Sequence, residues 1–301
     1  MKNIMTEYIK CLAKESLIDE IRFVDADDYE PKAIFKGRQP RDIMPEAKTI
    51  ILTLIYIGGV DMEDFDDSLH GRISKLALSG FYSNVVKPTE SIVDYLRLKG
   101  YKAIVTDSEL DDKSISLKSV AVKAGLGWIG KHTVMINKKY GSFIALGGII
   151  TDADLSQIYE TQPVGCPEGC DLCQRACPTK ANKSDLNLNR LLCISDYLEG
   201  SKIPVEEEVD ISNYFYECDI CQLVCPYNTK HIKEPLDTPY TKFFKSLALS
   251  AEKFSFENLI KMSEEEYIKE VVPLYYGFEL SYEMFKRNVR LAYESAKNRK
   301  V

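Results

Sequence analysis

No stretch of the chain reaches the roughly 20 consecutive apolar residues that a membrane-spanning helix needs. The longest mostly apolar run, Ile50 to Val60, falls well short. The first residues, MKNIMTEYIK, lack an apolar core followed by small residues, so no secretory leader is read there. Basic residues are not in excess: 39 Lys and Arg face 46 Asp and Glu, a formal net charge of −7. Phosphate contacts carry much of the affinity for nucleic acid, so this balance speaks against a chain-wide nucleic-acid surface. With 16 glycines and 12 prolines in 301 residues, the chain is neither fibrous nor of low complexity. What remains is the expectation of a cytoplasmic globular protein without a membrane partner, long enough for two compact domains.

Histidine occurs three times and tryptophan once, but cysteine occurs nine times, eight of them between positions 166 and 225. Disulfides are not expected in a reducing compartment. Such crowding points instead to metal or cluster ligation. The first group reads Cys166-x3-Cys170-x2-Cys173-x3-Cys177-Pro178, and the second Cys218-x2-Cys221-x3-Cys225-Pro226, with Cys193 standing 25 positions before Cys218. Bacterial two-cluster ferredoxins use C-x2-C-x2-C-x3-C-P, in which the cysteine before proline ligates the other cluster. A cubane has four iron corners, and one tight loop reaches three of them. On that logic Cys166, Cys170, Cys173 and Cys225 hold one 4Fe-4S cluster, and Cys177, Cys193, Cys218 and Cys221 hold the other. The first gap is one residue longer than in ferredoxins, and Cys193 lies far from its set. Structural zinc in four-cysteine sites also uses C-x2-C pairs, but such sites rarely need a third cysteine two or three residues beyond the pair, or the trailing Cys-Pro.

The rest of the chain reads as a mixture of helix and strand, an α+β class. Residues 4–17 form a helix with Ile4, Tyr8, Cys11 and Leu12 on one stripe, and Cys11 reads as a small buried hydrophobe. Residues 49–57 (TIILTLIYI) read as a central strand, 91–99 as part of a helix closed by Gly100, and 102–106 as a strand. A helix over 117–124 stops at Gly125. Residues 133–137 and 143–150 read as a strand pair turning at 138–141. Gly125-Leu126-Gly127-Trp128-Ile129-Gly130 spells G-x-G-x-x-G, but a helix precedes it and a strand follows, the reverse of a dinucleotide-binding turn. Its glycines read as permitting close approach to something flat or bulky, and Trp128 as core packing. The last 60 or so residues look helical; Met284 to Lys300 carries six Lys and Arg against one Glu, a solvated face or a docking surface for an anion or RNA.

The segment KAGLGWIGKHTVMINKKYGSFIALGGIITD (123–152), the two cysteine groups, CISDYLEG (193–200) and FKRNVRLAYESAKN (285–298) together resemble the epoxyqueuosine reductase family. The resemblance implies a cobalamin-dependent, double 4Fe-4S oxidoreductase of queuosine biosynthesis, or a short paralogue, related in layout to reductive dehalogenases. It implies a cobalamin-binding-type α/β domain over 1–156, a ferredoxin-like double-cluster domain over 157–235, and a helical segment over 236–301. It further implies a tRNA substrate, which the acidic balance disfavours, and a low-potential electron donor. Residues around His132, Thr133 and Ser195 would face the corrinoid. The family's proton-donating aspartate follows a strand in a D-S/T-x-P context. Asp107, before Ser108, fits that position locally, whereas counting back from GLGWIG reaches Asp111; no proline follows either. The alternative is an electron-transfer protein that docks a partner and performs no chemistry itself. Protein prepared anaerobically is expected to hold about eight irons per chain in a colorimetric assay, and Cys221→Ala about four or fewer.

Overall fold

Residues 49–56 decide the centre of the molecule. All eight side chains of TIILTLIY are buried, which requires cover on both faces of the strand. The structure, a computed structural model, describes residues 2–30, 38–80, 87–106, 114–161, 165–200, 210–274 and 280–299. Its strands are β1 (Glu20–Asp25), β2 (Thr49–Tyr56), β3 (Arg72–Ile73), β4 (Ala103–Thr106), β5 (Trp128–Ile129), β6 (Met135–Ile136), β7 (Ile144–Thr151) and β8 (Tyr214–Tyr216). Four of them make one antiparallel sheet in the order β1-β2-β7-β4. Alternate residues of β2 face opposite sides. Ile51 and Ile55 pack with Ile9 and Ala13 of the helix Lys2–Glu15 and with Ile92 and Leu96 of the helix Glu90–Leu98. Ile50, Leu52 and Leu54 pack with Leu117, Val120 and Ala121 of the helix Leu117–Lys123.

Two expectations are corrected. The amino-terminal helix buries Met5, Thr6, Ile9 and Ala13, while Ile4, Tyr8 and Cys11 are exposed. The i, i+4 series 5-9-13 faces the sheet, and Tyr8 instead lies against Tyr95 of the neighbouring helix, ring centroids 4.5 Å apart. Residues 133–137 and 143–150 do not pair with each other. β6 turns back on β5, because the Gly130 N–H donates to Val134 O and the Thr133 N–H to Gly130 O, closing a tight earlier turn. β7 is thereby free to lie along the full length of β2, with Ile50 opposite Ile150 and Leu54 opposite Leu146.

The cysteine-rich region and the helical tail are built into this frame. β3 pairs in parallel with β8, the segment leading into Cys218. One contiguous apolar core runs from Met5 through Tyr214, Phe215 and Tyr216 to Phe285, Val289, Ala292 and Ala296 of the helix Tyr282–Asn298. That helix starts at Ser281, whose hydroxyl accepts from the Met284 N–H as an N-cap. Two of its polar residues hold the end of the short helix Ile194–Leu198, whose N-cap is Cys193. Asn288 Nδ2 donates to Leu198 O at 2.8 Å, and Arg287 Nη2 donates to Tyr197 O at 3.0 Å while stacking on the Tyr197 ring. Part of the basic tail is therefore structural, and Arg290 on its outer face is exposed. Among the described residues no helix is long and apolar enough to cross a membrane.

Asn288→Ala leaves a buried carbonyl without its donor. It is expected to lower the unfolding free energy by about 1–3 kcal/mol in denaturant titrations.

Candidate metal centre

The two cysteine groups share a local design. Asp171-Leu-Cys173-Gln174-Arg-Ala-Cys177-Pro178 and Asp219-Ile-Cys221-Gln222-Leu-Val-Cys225-Pro226 follow one eight-residue pattern. In each, the aspartate stands at the N-cap position of a short helix, Leu172–Ala176 or Ile220–Leu223, with the middle cysteine inside and the last cysteine just beyond. The environments of the copies differ. Asp171 is solvated and pairs with Arg175, and Gln174 reaches the exposed Asp185. Asp219 is buried; its Oδ2 accepts from the Lys75 N–H at 2.7 Å and its Oδ1 from Gln222 Nε2 at 3.1 Å. Burial pushes the Asp219 carboxyl up to about 6.

Electrostatic contacts sort the eight thiols into two sets. Burial pushes Cys225 up to about 11, and Cys166, Cys173 and Cys170 add to the rise. Burial likewise raises Cys173, which feels Cys166 and Cys170. Cys221 is pushed up by burial first and then by Cys193, with Asp219, Cys173 and Cys177 contributing. Cys218 is raised by burial, with Cys221 and Cys193 adding, and Cys193 by burial, with Cys177 adding. These contacts group Cys225 with Cys166, Cys170 and Cys173, and Cys193 with Cys177, Cys218 and Cys221, while Cys221 feels Cys173 as well as Cys177. Cys221 feels Cys173, so the sets are neighbours. Backbone N–H groups already point at several sulfurs. Lys131 N lies 3.4 Å from Cys166 Sγ, while Cys193 accepts from Ser195 and Asp196, Cys218 from Ile220 and Cys225 from Tyr227. Among the described residues no three His, Cys, Asp or Glu are arranged to hold a metal ion. A cubane takes one thiolate at each of four separate irons, a wider arrangement than the shell of one ion.

A small cavity lies against the first set, lined by Cys166, Cys170, Cys173 and Cys225 together with Lys131, His132, Ile136, Pro167, Leu172, Pro226 and Tyr227. Four buried side-chain nitrogens find no oxygen or nitrogen partner among the described residues: Trp128 Nε1, His132 Nε2, Asn182 Nδ2 and His231 Nε2, of which Asn182 meets the Cys173 sulfur. The first three surround this set. Trp128 shares an apolar cluster with Cys225 and Cys166, His132 lines the cavity, and Asn182 lies against Cys173, whose thiol it lowers. Orphaned donors around clustered thiols fit a group that presents sulfur acceptors.

His132 and Thr133 stand together in the β5–β6 turn. Burial holds His132 down to about 4, and its Nδ1 accepts from the Val134 N–H at 3.1 Å. Thr133, buried and β-branched, sits at φ 65°, a strained conformation that costs on the order of 1–3 kcal/mol. Lys118 Nζ lies 3.4 Å from its carbonyl. Ser195 is elsewhere, two residues beyond Cys193, with its hydroxyl donating to Glu199 at 2.5 Å. Asp107 and Asp111 lie outside the described residues. The glycine motif approaches its own chain rather than an external flat group: at Gly127 (φ 157°) a Cβ would stand 1.9 Å from Ile136 O.

Sequence reasoning missed Asn228 and Gln222. Asn228 Oδ1 accepts from the Ser142 N–H at 2.7 Å, and its Nδ2 donates to Ser142 Oγ and to Gln222 O, both at 2.8 Å. Ser142 Oγ in turn donates to Gln222 Oε1. This latch ties the cluster module to the start of β7. The shared D-[LI]-C-Q-x-x-C-P pattern was the available signal for Gln222; nothing in the sequence marked Asn228.

Residues 166–228 match the family model of a 4Fe-4S double cluster binding domain. A curated relative from Lactococcus garvieae (strain Lg2), named epoxyqueuosine reductase, is 32% identical over 257 residues, which is 76% of this chain and 70% of that protein. Another of that name, from Cellulophaga algicola, is 34% identical over 68% of this chain and 67% of its own. Among solved structures, an epoxyqueuosine reductase with an epoxyqueuosine-modified tRNA-Tyr stem loop superposes with a TM-score of 0.73 at 22% identity, covering 100% of this chain and 84% of that one. A reductive dehalogenase described as B12-dependent superposes at 0.51 and 16% identity, over 81% of this chain and 34% of its own. These two likenesses concern the fold.

At Gly141 (φ 72°) a Cβ would stand 2.0 Å from Asn228 Oδ1 and 2.7 Å from Tyr227 O. Gly141→Ala is expected to break the latch and lower stability by roughly 2–4 kcal/mol in chemical denaturation.

Proposed function

The chain belongs to the epoxyqueuosine reductase family, and from that membership we propose that it is a cobalamin-dependent iron–sulfur oxidoreductase that reduces epoxyqueuosine to queuosine in tRNA, or reduces a related epoxide. The observation that carries the reading is the crossed grouping of thiols: Cys225 keeps company with the first cysteine group, and Cys177 with Cys193, Cys218 and Cys221. On this reading Cys166, Cys170, Cys173 and Cys225 hold one cluster, and Cys177, Cys193, Cys218 and Cys221 hold the other. Neighbouring sets give electrons a short path between two one-electron carriers.

Removal of the epoxide oxygen breaks both C–O bonds, forms a C=C bond and releases water, and so consumes two electrons and two protons. A low-potential donor supplies the electrons. When bound, the corrinoid supplies the reactive centre for the carbon–oxygen bond, which protein side chains lack. The chain's own part is orientation and proton delivery. His132, Thr133 and Ser195 are proposed to border the corrinoid chamber. The strain at Thr133 supports that reading, since backbone strain gathers at ligand contacts. A carboxyl group, Asp107 or Asp111, gives its proton to the departing oxygen as general acid. The tRNA substrate is carried over from the relatives' name, and the solved relative with a modified stem loop supports it.

Anaerobic reconstitution tests the reading. The cluster-loaded protein should bind cobalamin stoichiometrically, seen in the visible spectrum, and should convert epoxyqueuosine-tRNA with a low-potential reductant. One of Asp107→Asn and Asp111→Asn should lose at least about 100-fold in turnover with both cofactors retained. Full activity in both removes the aspartates from the mechanism. Absence of corrinoid binding removes the reading and leaves an electron-transfer protein.

A further inference from the structure

A buried N–H without a partner costs stability, so a fold that keeps several in one place has a use for them. Three of the four buried side-chain nitrogens without an oxygen or nitrogen partner among the described residues belong to residues that border Cys166, Cys170, Cys173 and Cys225, and one of them, Asn182, meets the Cys173 sulfur. They come from separate parts of the chain: Trp128 from β5, His132 from the turn after it, and Asn182 from the segment after Cys177-Pro178. The His132 tautomer follows from geometry. Its Nδ1 accepts the Val134 N–H, so the proton of the neutral ring sits on Nε2, the atom left without an acceptor. Trp128 Nε1 is a donor only. Asn182 is 2% exposed, with neither amide atom satisfied by oxygen or nitrogen. In the second set, Cys193 and Cys218 receive backbone N–H groups.

We propose that Trp128, His132 and Asn182 donate N–H···S bonds to the cluster held by Cys166, Cys170, Cys173 and Cys225, and thereby raise its reduction potential relative to the same cluster without them. The proposal rests on the cluster assignment above and names a tuning role for residues that do not themselves touch substrate. Hydrogen bonds to sulfur stabilise the reduced, more negative cluster. An electron entering the module is then held more firmly at the first set than it would be without these donors.

The test uses the reconstituted double-cluster protein and a redox titration followed by EPR, with no turnover required. Trp128→Phe keeps the aromatic wall and removes only the donor; His132→Met and Asn182→Leu do the same at their positions. Each is expected to lower the midpoint potential of one and the same cluster and leave the other unmoved. His132→Gln, which restores an N–H at similar reach, should recover the shift. Unchanged midpoints in all three variants, or a shift confined to the other cluster, overturn the proposal. Should a variant fail to load, wild-type protein labelled with ¹⁵N in Trp, His or Asn side chains gives the answer. Pulsed EPR of the reduced protein should show weak ¹⁵N coupling to one cluster, and its absence for all three labels overturns the proposal. The cluster reading fails separately, if iron content stays at or below about half of that expected for two cubanes.

Discussion

Burying a thiol and ionising it are opposed demands, and the arrangement around residues 166–228 follows from that conflict. Apolar surroundings favour the neutral S–H, and every resolved shift at Cys173, Cys193, Cys218, Cys221 and Cys225 is upward, with burial the main cause. Iron reverses the balance by supplying the positive charge that the protein withholds. Metal binding is then inseparable from the folding of the segment. The region needs this help, because its α-helices before Cys225 are only four or five residues long. The N–H groups that face sulfur serve the charged state and would be poor investments for a protein that stayed apo.

Repetition with unequal settings is the second theme. The two D-[LI]-C-Q-x-x-C-P units are alike in sequence and local shape, but only the second is locked into the amino-terminal region. Lys75 N–H on Asp219, Ser142 on Gln222, and Asn228 across both make one polar seam. The first unit keeps its Asp171 and Gln174 in water. A duplicated ferredoxin-like element has thus become asymmetric through its partners rather than through its ligands.

Much of this was legible in the sequence. The cysteine spacing marked out the segment that matches a double-cluster domain, and the apolar run at 49–57 and the helices near 91–99 and 117–124 stand where periodicity put them. The misses have physical causes. The amino-terminal helix has apolar residues on two adjacent stripes, and only docking against the sheet chose Met5, Ile9 and Ala13 over Ile4 and Tyr8. The hairpin proposed at 138–141 lost to a tighter one closed at Gly130–Thr133, a turn whose strained threonine no propensity scale favours. Asn228 and Asn182 were invisible because an asparagine's role lies in partners distant along the chain. Asp107 and Asp111 fall outside the described residues.

The clamp by Arg287 and Asn288 has an implication for biogenesis. Cys193 belongs to a short helix whose far end is secured by residues nearly a hundred positions downstream. A ribosome-bound intermediate that has exposed all eight cysteines still lacks that brace. The helix that Cys193 caps is therefore braced only once the segment carrying Arg287 and Asn288 has been made, well after all eight cysteines, so during synthesis the thiol groups are firm on one side and loose on the other.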